Sequence, residues 1–199
     1  MGIIMAKIIL ASASDRRKDI LTQVGISYEV MPSSIDEDAI HADTPASLVE
    51  ALSAAKAEDI AERLTTDFVI IGADTVVVKD NSILGKPSDE AEAAKMLQML
   101  QGSRHEVYTG VTLIYVSPDG KGLIDTFHVR TIVDMIPMTP VQINAYIKTG
   151  EPMDKAGAYG IQGRGAAYIQ DIAGDYYNVV GLPISTVLAR LADIGIDLY

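Results

Sequence analysis

Short apolar runs alternate with amphipathic stretches along this chain, in the rhythm of an α/β fold. Lys7 to Ala11 is continuously apolar, the pattern of a strand buried on both faces. A helical pattern follows over 15–24, with Ile20, Leu21 and Val24 on one face, Ser14 as its N-cap and Gly25 as its stop. Tyr28 to Met31 predicts a second strand, and 33–43 is a polar, acidic loop. Thr44-Pro45 opens a long helix reaching about Leu64. Phe68 to Gly72 predicts a buried strand, Thr75 to Lys79 another, and Asp80-Asn81 a turn. Ser88 is the expected cap of the next helix, with Asp89 and Glu90 in its first turn and Gly102 beyond its end. Two long β-rich stretches, 105–116 and 122–135, flank Ser117-Pro118-Asp119-Gly120, a strong hairpin signal. Thr139-Pro140-Val141-Gln142 is a capping box for a helix ending at Gly150. Residues 151–165 are glycine-rich without period, and 184–194 is the last helix. The expectation is an α/β fold with a mixed central sheet flanked by helices, the long hairpin forming part of a second lobe beside a cleft.

Composition narrows the chemistry. The 199 residues suffice for one core and are read as a single domain over 1–199. With 48% hydrophobic and 22% charged residues, disorder is excluded as the main state. The absence of cysteine removes disulfides, thiol nucleophiles and iron–sulfur sites. Sixteen Lys and Arg against 27 Asp and Glu give a net charge of −11. Such a surface repels nucleic acid and anionic membrane, so a polyanionic ligand must be small and find a local basic pocket. The three histidines, at 41, 105 and 128, lack metal-ligand spacing and are read as structural. Any metal should therefore be a hard cation held by carboxylates. No apolar run reaches the roughly 20 residues of a spanning helix. The apolar stretch 1–13 reads as a buried first strand rather than a signal peptide, which makes the cytoplasm the default.

Several segments carry candidate chemistry. Ser12-Ala13-Ser14-Asp15-Arg16-Arg17 joins strand to helix, an anion-binding arrangement in which backbone N–H groups and arginines face the ligand. Its spacing is not that of a P-loop, and taken alone it reads first as a capped surface helix with two solvated arginines. Gly72-Ala73-Asp74-Thr75 sets an aspartate after a buried strand, where it can hold a divalent metal or take a proton from water. Gly85-Lys86-Pro87 fixes the direction of a lysine. Residues 151–163 combine glycines with Asp154, Lys155 and Gln162, and a glutamine amide there can read a base edge. The acidic run around Glu37 is either solvated or a hard-metal ligand. Lys56, among alanines in a long helix, points into a cleft or into water.

In this order, Leu10-Ala11-Ser12-Ala13-Ser14 with Arg16-Arg17, Gly72-Ala73-Asp74-Thr75, Gly85-Lys86-Pro87, the run 154–163 and Asn178-Val179-Val180-Gly181-Leu182-Pro183 resemble the Maf-like nucleoside triphosphate pyrophosphatase family. Its members are also called septum-formation-inhibitor-like proteins. The resemblance extends from Ile8 to about Leu191. It implies hydrolysis of a nucleoside triphosphate to monophosphate and pyrophosphate with Mg2+ or Mn2+. It also implies a two-lobed α/β fold close to that of inosine triphosphate pyrophosphatases, and a homodimer. It makes Asp74 the proton acceptor and Arg16, Thr75 and Gln162 the residues of base choice, in a subgroup acting on dTTP and UTP. On this basis the expected catalytic residues are Asp74, Lys86 and Lys56. Ser12, Ser14, Arg16, Arg17, Thr75, Lys155 and Gln162 are expected to bind substrate, and Asp74 and Glu37 the metal. The family usually has proline where this chain has Asp15, and either residue suits a first helical position. Alternatives are the same reaction on 7-methyl-GTP or another non-standard nucleotide, and a nucleotide-binding regulator of cell division with little turnover. A sugar nucleotidyltransferase is a third, though the glycine-rich motif it needs after the first strand is missing.

Overall fold

The computed structural model describes residues 6–65 and 67–196. The first five residues of the expected N-terminal strand lie outside them. Strand β1 (Lys7–Leu10) leads into α1 (Asp15–Gln23), then β2 (Glu29–Val30), α2 (Pro45–Ala61), β3 (Phe68–Lys79) and β4 (Ser82–Leu84). There follow α3 (Glu90–Leu100), β5 (Arg104–Val116), β6 (Gly122–Met135), α4 (Pro140–Ile147), β7 (Ile169–Ala173), α5 (Tyr176–Val180) and α6 (Ile184–Asp193). The strands form one mixed sheet in the order β2-β1-β3-β5-β6-β7, with β4 paired to β3. β1 runs parallel to β2 and β3, whereas β3/β4 and β6/β7 are antiparallel. The expected mixed α/β architecture is therefore present. Among the described residues, no helix is long and apolar enough to cross a membrane.

The chain packs as two compact units. The first comprises Met1–Asp74, Thr109–Val129 and Gly181–Tyr199, the second Thr75–Tyr108 and Arg130–Val180. In the first, α2 buries the stripe Val49, Leu52, Ser53, Lys56, Ala57 and Ile60, the spacing of one helical face. Ala57 and Ile60 join Ile9, Phe68, Ile70 and Ile114 in a core, each large side chain contributing roughly 1.5–3 kcal/mol. Thr44 and Ser47 cap α2 reciprocally, with Pro45 in the first turn. In the second unit, α3 buries Ala93, Met96, Leu97 and Leu100 against Val107, Val133 and Met135.

Three local readings need correction, and the N-cap position of Ser14 stands as expected. β3 is one strand of 12 residues, not two strands broken at Gly72, so Asp74 lies within it rather than beyond its end. Ser14 stands at the N-cap of α1 without a side-chain capping bond. Asp89, not Ser88, caps α3, accepting from the Glu92 N–H at 2.7 Å, while Ser88 donates to the Glu92 carboxylate. The segment 151–168 is a series of 3-10 turns leading into β7, a strand whose sequence gave no warning.

Candidate active site

In the first unit the site begins with the glycine of Gly72-Ala73-Asp74. A Cβ at Gly72 would stand 2.4 Å from the Ser53 carbonyl oxygen and 2.9 Å from the Ala57 Cβ. Only glycine lets the backbone of α2 lie directly on β3. That approach brings Lys56, on the buried stripe of α2, onto Asp74 of β3. The Lys56 ammonium donates to Asp74 Oδ1 at 2.7 Å and lies 3.0 Å from Glu37 Oε1. Lys56 and Asp74 are both buried, while Glu37 is exposed. Asp74, Glu37 and Lys56, singled out in the sequence for metal binding or catalysis, are thus brought together.

The N-terminal segment adds a second cation. Arg17, buried on α1, donates through Nε to the Gly181 carbonyl at 2.8 Å and through Nη1 to Ser12 Oγ at 3.0 Å. Burial lowers its affinity for a proton, Asp74 and Glu37 oppose that, and neighbouring Arg16 adds to it. Ser12 Oγ also accepts from the Ser14 N–H at 3.3 Å, which holds the strand-to-helix loop. Asp15 is the first helical residue and pairs with Lys18 at 2.7 Å. Here the aspartate takes the first-turn position that proline takes in the resembling family. Arg16 and Ser14 are half-buried at the same helix end.

The donor chemistry fits a divalent ion of the magnesium class. Asp74 and Glu37 carry hard carboxylate oxygens, both of which here face the Lys56 ammonium, and magnesium is commonly held by one or two carboxylates with substrate phosphates completing its shell. Among the described residues no group of three or more His, Cys, Asp or Glu is placed to cage a metal alone. A two-carboxylate site that shares its ion with a phosphate matches that donor set.

The second unit holds the remaining candidates. The Gly157 N–H donates to the Gly85 carbonyl at 3.0 Å, which ties the glycine-rich segment to Gly85-Lys86-Pro87. Lys86 and Gln162 are exposed, and Thr75 is half-buried on β3. Lys155 donates to the Glu151 carbonyl and to Asp154, both at 2.7 Å. A Cβ at Gly165 would fall 2.2 Å from the Gly160 carbonyl oxygen and 2.6 Å from the Tyr146 hydroxyl, so this loop closes on itself only with glycine there.

Glu151, Tyr146 and the pair His105–Tyr159 organise this loop. Glu151 accepts from the Arg164 and Gly165 N–H groups and from the Tyr146 hydroxyl. His105 Nε2 lies 2.7 Å from the Tyr159 hydroxyl. Burial, with a further push from Lys79 against Asp134, lowers the imidazole to about 4. The reading of His105 as structural agrees with this contact. The only sequence signal for Glu151 was its place at the head of a glycine-rich run.

Comparisons with known proteins now bear on this geometry. Residues 7–194 match the model of a family described as Maf-like protein. The chain is 49% identical over 195 residues to a dTTP/UTP pyrophosphatase of Moorella thermoacetica, covering 98% of each chain. It is 47% identical over 193 residues to a dTTP/UTP pyrophosphatase of Bacillus thuringiensis subsp. konkukian, covering 97% of this chain and 98% of the relative. Among solved structures it is similar to the Staphylococcus aureus Ham1 protein, at 18% identity and a TM-score of 0.39, over 64% of this chain and 71% of that one. By its match along nearly its whole length, the chain belongs to the Maf-like protein family.

Proposed function

We propose that this protein is a nucleoside triphosphate pyrophosphatase that hydrolyses dTTP and UTP to the monophosphate and pyrophosphate. The observation that carries the reading is Asp74, a buried carboxylate on β3 in contact with Lys56 and one ammonium away from Glu37. The two curated relatives above are named for that activity. The whole chain works as one catalytic domain.

The reaction adds water across the α–β phosphoanhydride. The water oxygen bonds to the α-phosphorus, its proton passes to the Asp74 carboxylate, and the bond from the α-phosphorus to the bridging oxygen breaks to release pyrophosphate. Lys56 aims the Asp74 carboxylate through their 2.7 Å hydrogen bond. Ser12, Ser14, Arg16 and Arg17 bind phosphate oxygens at the N-terminal end of α1, where backbone N–H groups and positive charge favour an anion. Lys86 and Lys155 neutralise the charge that develops on the leaving pyrophosphate. Thr75 and Gln162 read the base. Asp74 and Glu37 would hold Mg2+ or Mn2+, which supplies charge neutralisation on the phosphate oxygens. The same reading makes the enzyme a cytoplasmic homodimer with neither nucleic acid nor membrane as partner, in keeping with the net charge of −11.

The test is pyrophosphate release from a panel of nucleoside triphosphates, 7-methyl-GTP included, by the wild type and Asp74→Asn. Release from dTTP and UTP should fall by about 10²–10⁴-fold in the variant. Near-normal turnover in Asp74→Asn would remove Asp74 from the proton-accepting role. Tight nucleotide binding without release by the wild type would make the protein a binding regulator instead.

A further inference from the structure

We infer that Glu151 is a positioning residue for base selection: one carboxylate holds both flanks of the loop that carries Gln162. The inference rests on the proposed reading of Gln162 as the residue that meets the base. Glu151 Oε2 accepts from the Arg164 N–H at 2.9 Å, and Oε1 accepts from the Gly165 N–H at 3.0 Å. Oε1 also accepts from the Tyr146 hydroxyl at 2.9 Å, and that hydroxyl accepts in turn from the Gly160 N–H at 3.1 Å. The pinned peptides therefore stand two residues before Gln162 and two and three residues after it. Gln162 itself is extended and exposed, with no capping bond from its side chain.

The donors that Glu151 takes are peptide and hydroxyl groups. Its carboxylate takes two peptide N–H groups and a hydroxyl, whereas the nearby Lys155 ammonium goes to the Glu151 carbonyl and to Asp154. A carboxylate that accepts backbone N–H groups makes charge-assisted bonds, stronger than those between neutral partners. Tyr146 is almost wholly buried, so the bridge from Glu151 to Gly160 is anchored in the core of this unit.

Base selection needs such an anchor. Thymine and uracil present a carbonyl acceptor at position 4 beside an N–H donor, and cytosine presents the reverse pair. A glutamine amide has one acceptor and one donor face, so a free one turns over and pairs with either. Its choice also depends on the distance and angle at which the amide meets the base edge, and those are set by the backbone that carries it. Holding the loop costs entropy that the three Glu151 bonds offset in advance of substrate binding. The carboxylate need not touch the nucleotide to do this.

The experiment compares kcat and KM for dTTP, UTP and CTP in the wild type, Glu151→Gln, Tyr146→Phe and Gln162→Ala. In Glu151→Gln the amide NH2 faces a peptide N–H, donor against donor, and a flank of the loop is released. The ratio of kcat/KM for dTTP over CTP should fall roughly tenfold, carried by KM with kcat changed less than about threefold. Tyr146→Phe keeps the carboxylate and loses the link to Gly160, and the same ratio should fall by about threefold. It also carries the test if Glu151→Gln does not fold. A uniform loss of kcat on all three nucleotides, with the ratio unchanged in both variants, overturns the proposal and leaves Glu151 a fold-supporting residue. An unchanged ratio in Gln162→Ala beside a selective wild type overturns the base-reading role of Gln162, and this inference with it. A wild type that hydrolyses none of the three overturns the reaction itself.

Discussion

The charged cluster of the first unit and the glycine-rich loop of the second are built on opposite principles. Around Asp74, regular elements do the positioning: a helix lies on a strand over Gly72, and three side chains of opposite charge find each other. Around Gln162, irregular backbone is held by side chains: Glu151, Tyr146 and His105 with Tyr159 pin a segment without a period of its own. The first arrangement gives a fixed electric field, which suits proton transfer and phosphate chemistry. The second gives a surface shaped by its hydrogen-bond partners, which suits recognition. The difference also predicts how each fails. Loss of one charge in the first strands another charge in a buried place, whereas loss of one pin in the second loosens a loop whose surroundings remain packed.

The largest effect should follow Lys56→Met. Lys56 is the ammonium shared by two carboxylates, and its removal leaves the Asp74 carboxylate buried without its closest cation. Breaking a buried pair by one partner typically costs about 3–5 kcal/mol. Urea unfolding at neutral pH measures it, and pyrophosphate release should fall as well. In Lys56→Met with Asp74→Asn the stranded charge is gone, so the loss of stability should be smaller than the sum of the single losses. Strict additivity would break the comparison, since the two residues would then not act as a pair.

Next comes the response of the loop to acid. Burial pulls His105 from 6.5 to about 4, with Lys79 adding to that and Asp134 opposing it. His105 Nε2 shares a 2.7 Å hydrogen bond with the Tyr159 hydroxyl, which burial keeps protonated. As pH falls, the unfolded chain takes up a proton near 6.5 and the folded one only near 4. The stability from a neutral buried His105 is therefore complete above about 6.5 and is lost as pH falls from there toward 4. The shift corresponds to at most about 3 kcal/mol. Urea unfolding of the wild type and His105→Gln across that window measures it, and the variant should show the flatter curve. Amide protection in 157–165 should weaken in the wild type over the same range. Equal slopes for the two proteins would remove His105 from the holding of the loop.

The two regions were not equally legible in the sequence. The mixed sheet follows from the apolar run at 7–11, the Thr44-Pro45 cap and the Ser117–Gly120 turn, because each is a local signal read by local physics. Gly72-Ala73-Asp74 marks Asp74 as a candidate, but does not mark its place inside β3. Gly-Ala after four apolar residues looks like a strand end until α2 is seen covering Gly72. Lys56 stands on the stripe 49, 52, 53, 56, 57, 60, so its burial was available from periodicity alone. Glu151 was not available in that way, since its peptide donors lie 13 and 14 residues further on and carry no side-chain signature. β7 escaped because its Ile-Gln-Asp-Ile-Ala pattern has no continuous apolar face, and it exists through its pairing with β6.

The smallest expected effect separates the two principles most sharply. Thr44 caps α2, accepting from the Ser47 N–H at 3.1 Å while Ser47 Oγ accepts from the Thr44 N–H at 3.1 Å. Thr44→Ala should cost about 1 kcal/mol, the ordinary value of an N-cap, read as a lowered melting temperature. Lys56 lies on the same helix but about three turns beyond the cap, and its position is set by packing over Gly72 and by its two carboxylates. The turnover of the folded fraction and its preference among nucleotides should therefore stay within about twofold of wild type. If charged partners on regular elements truly fix this part of the site, a frayed helix end is paid in stability alone. A changed kcat in a protein still folded at the assay temperature would mean that the position of Lys56 depends on the far end of its helix, and that the cluster is as compliant as the loop.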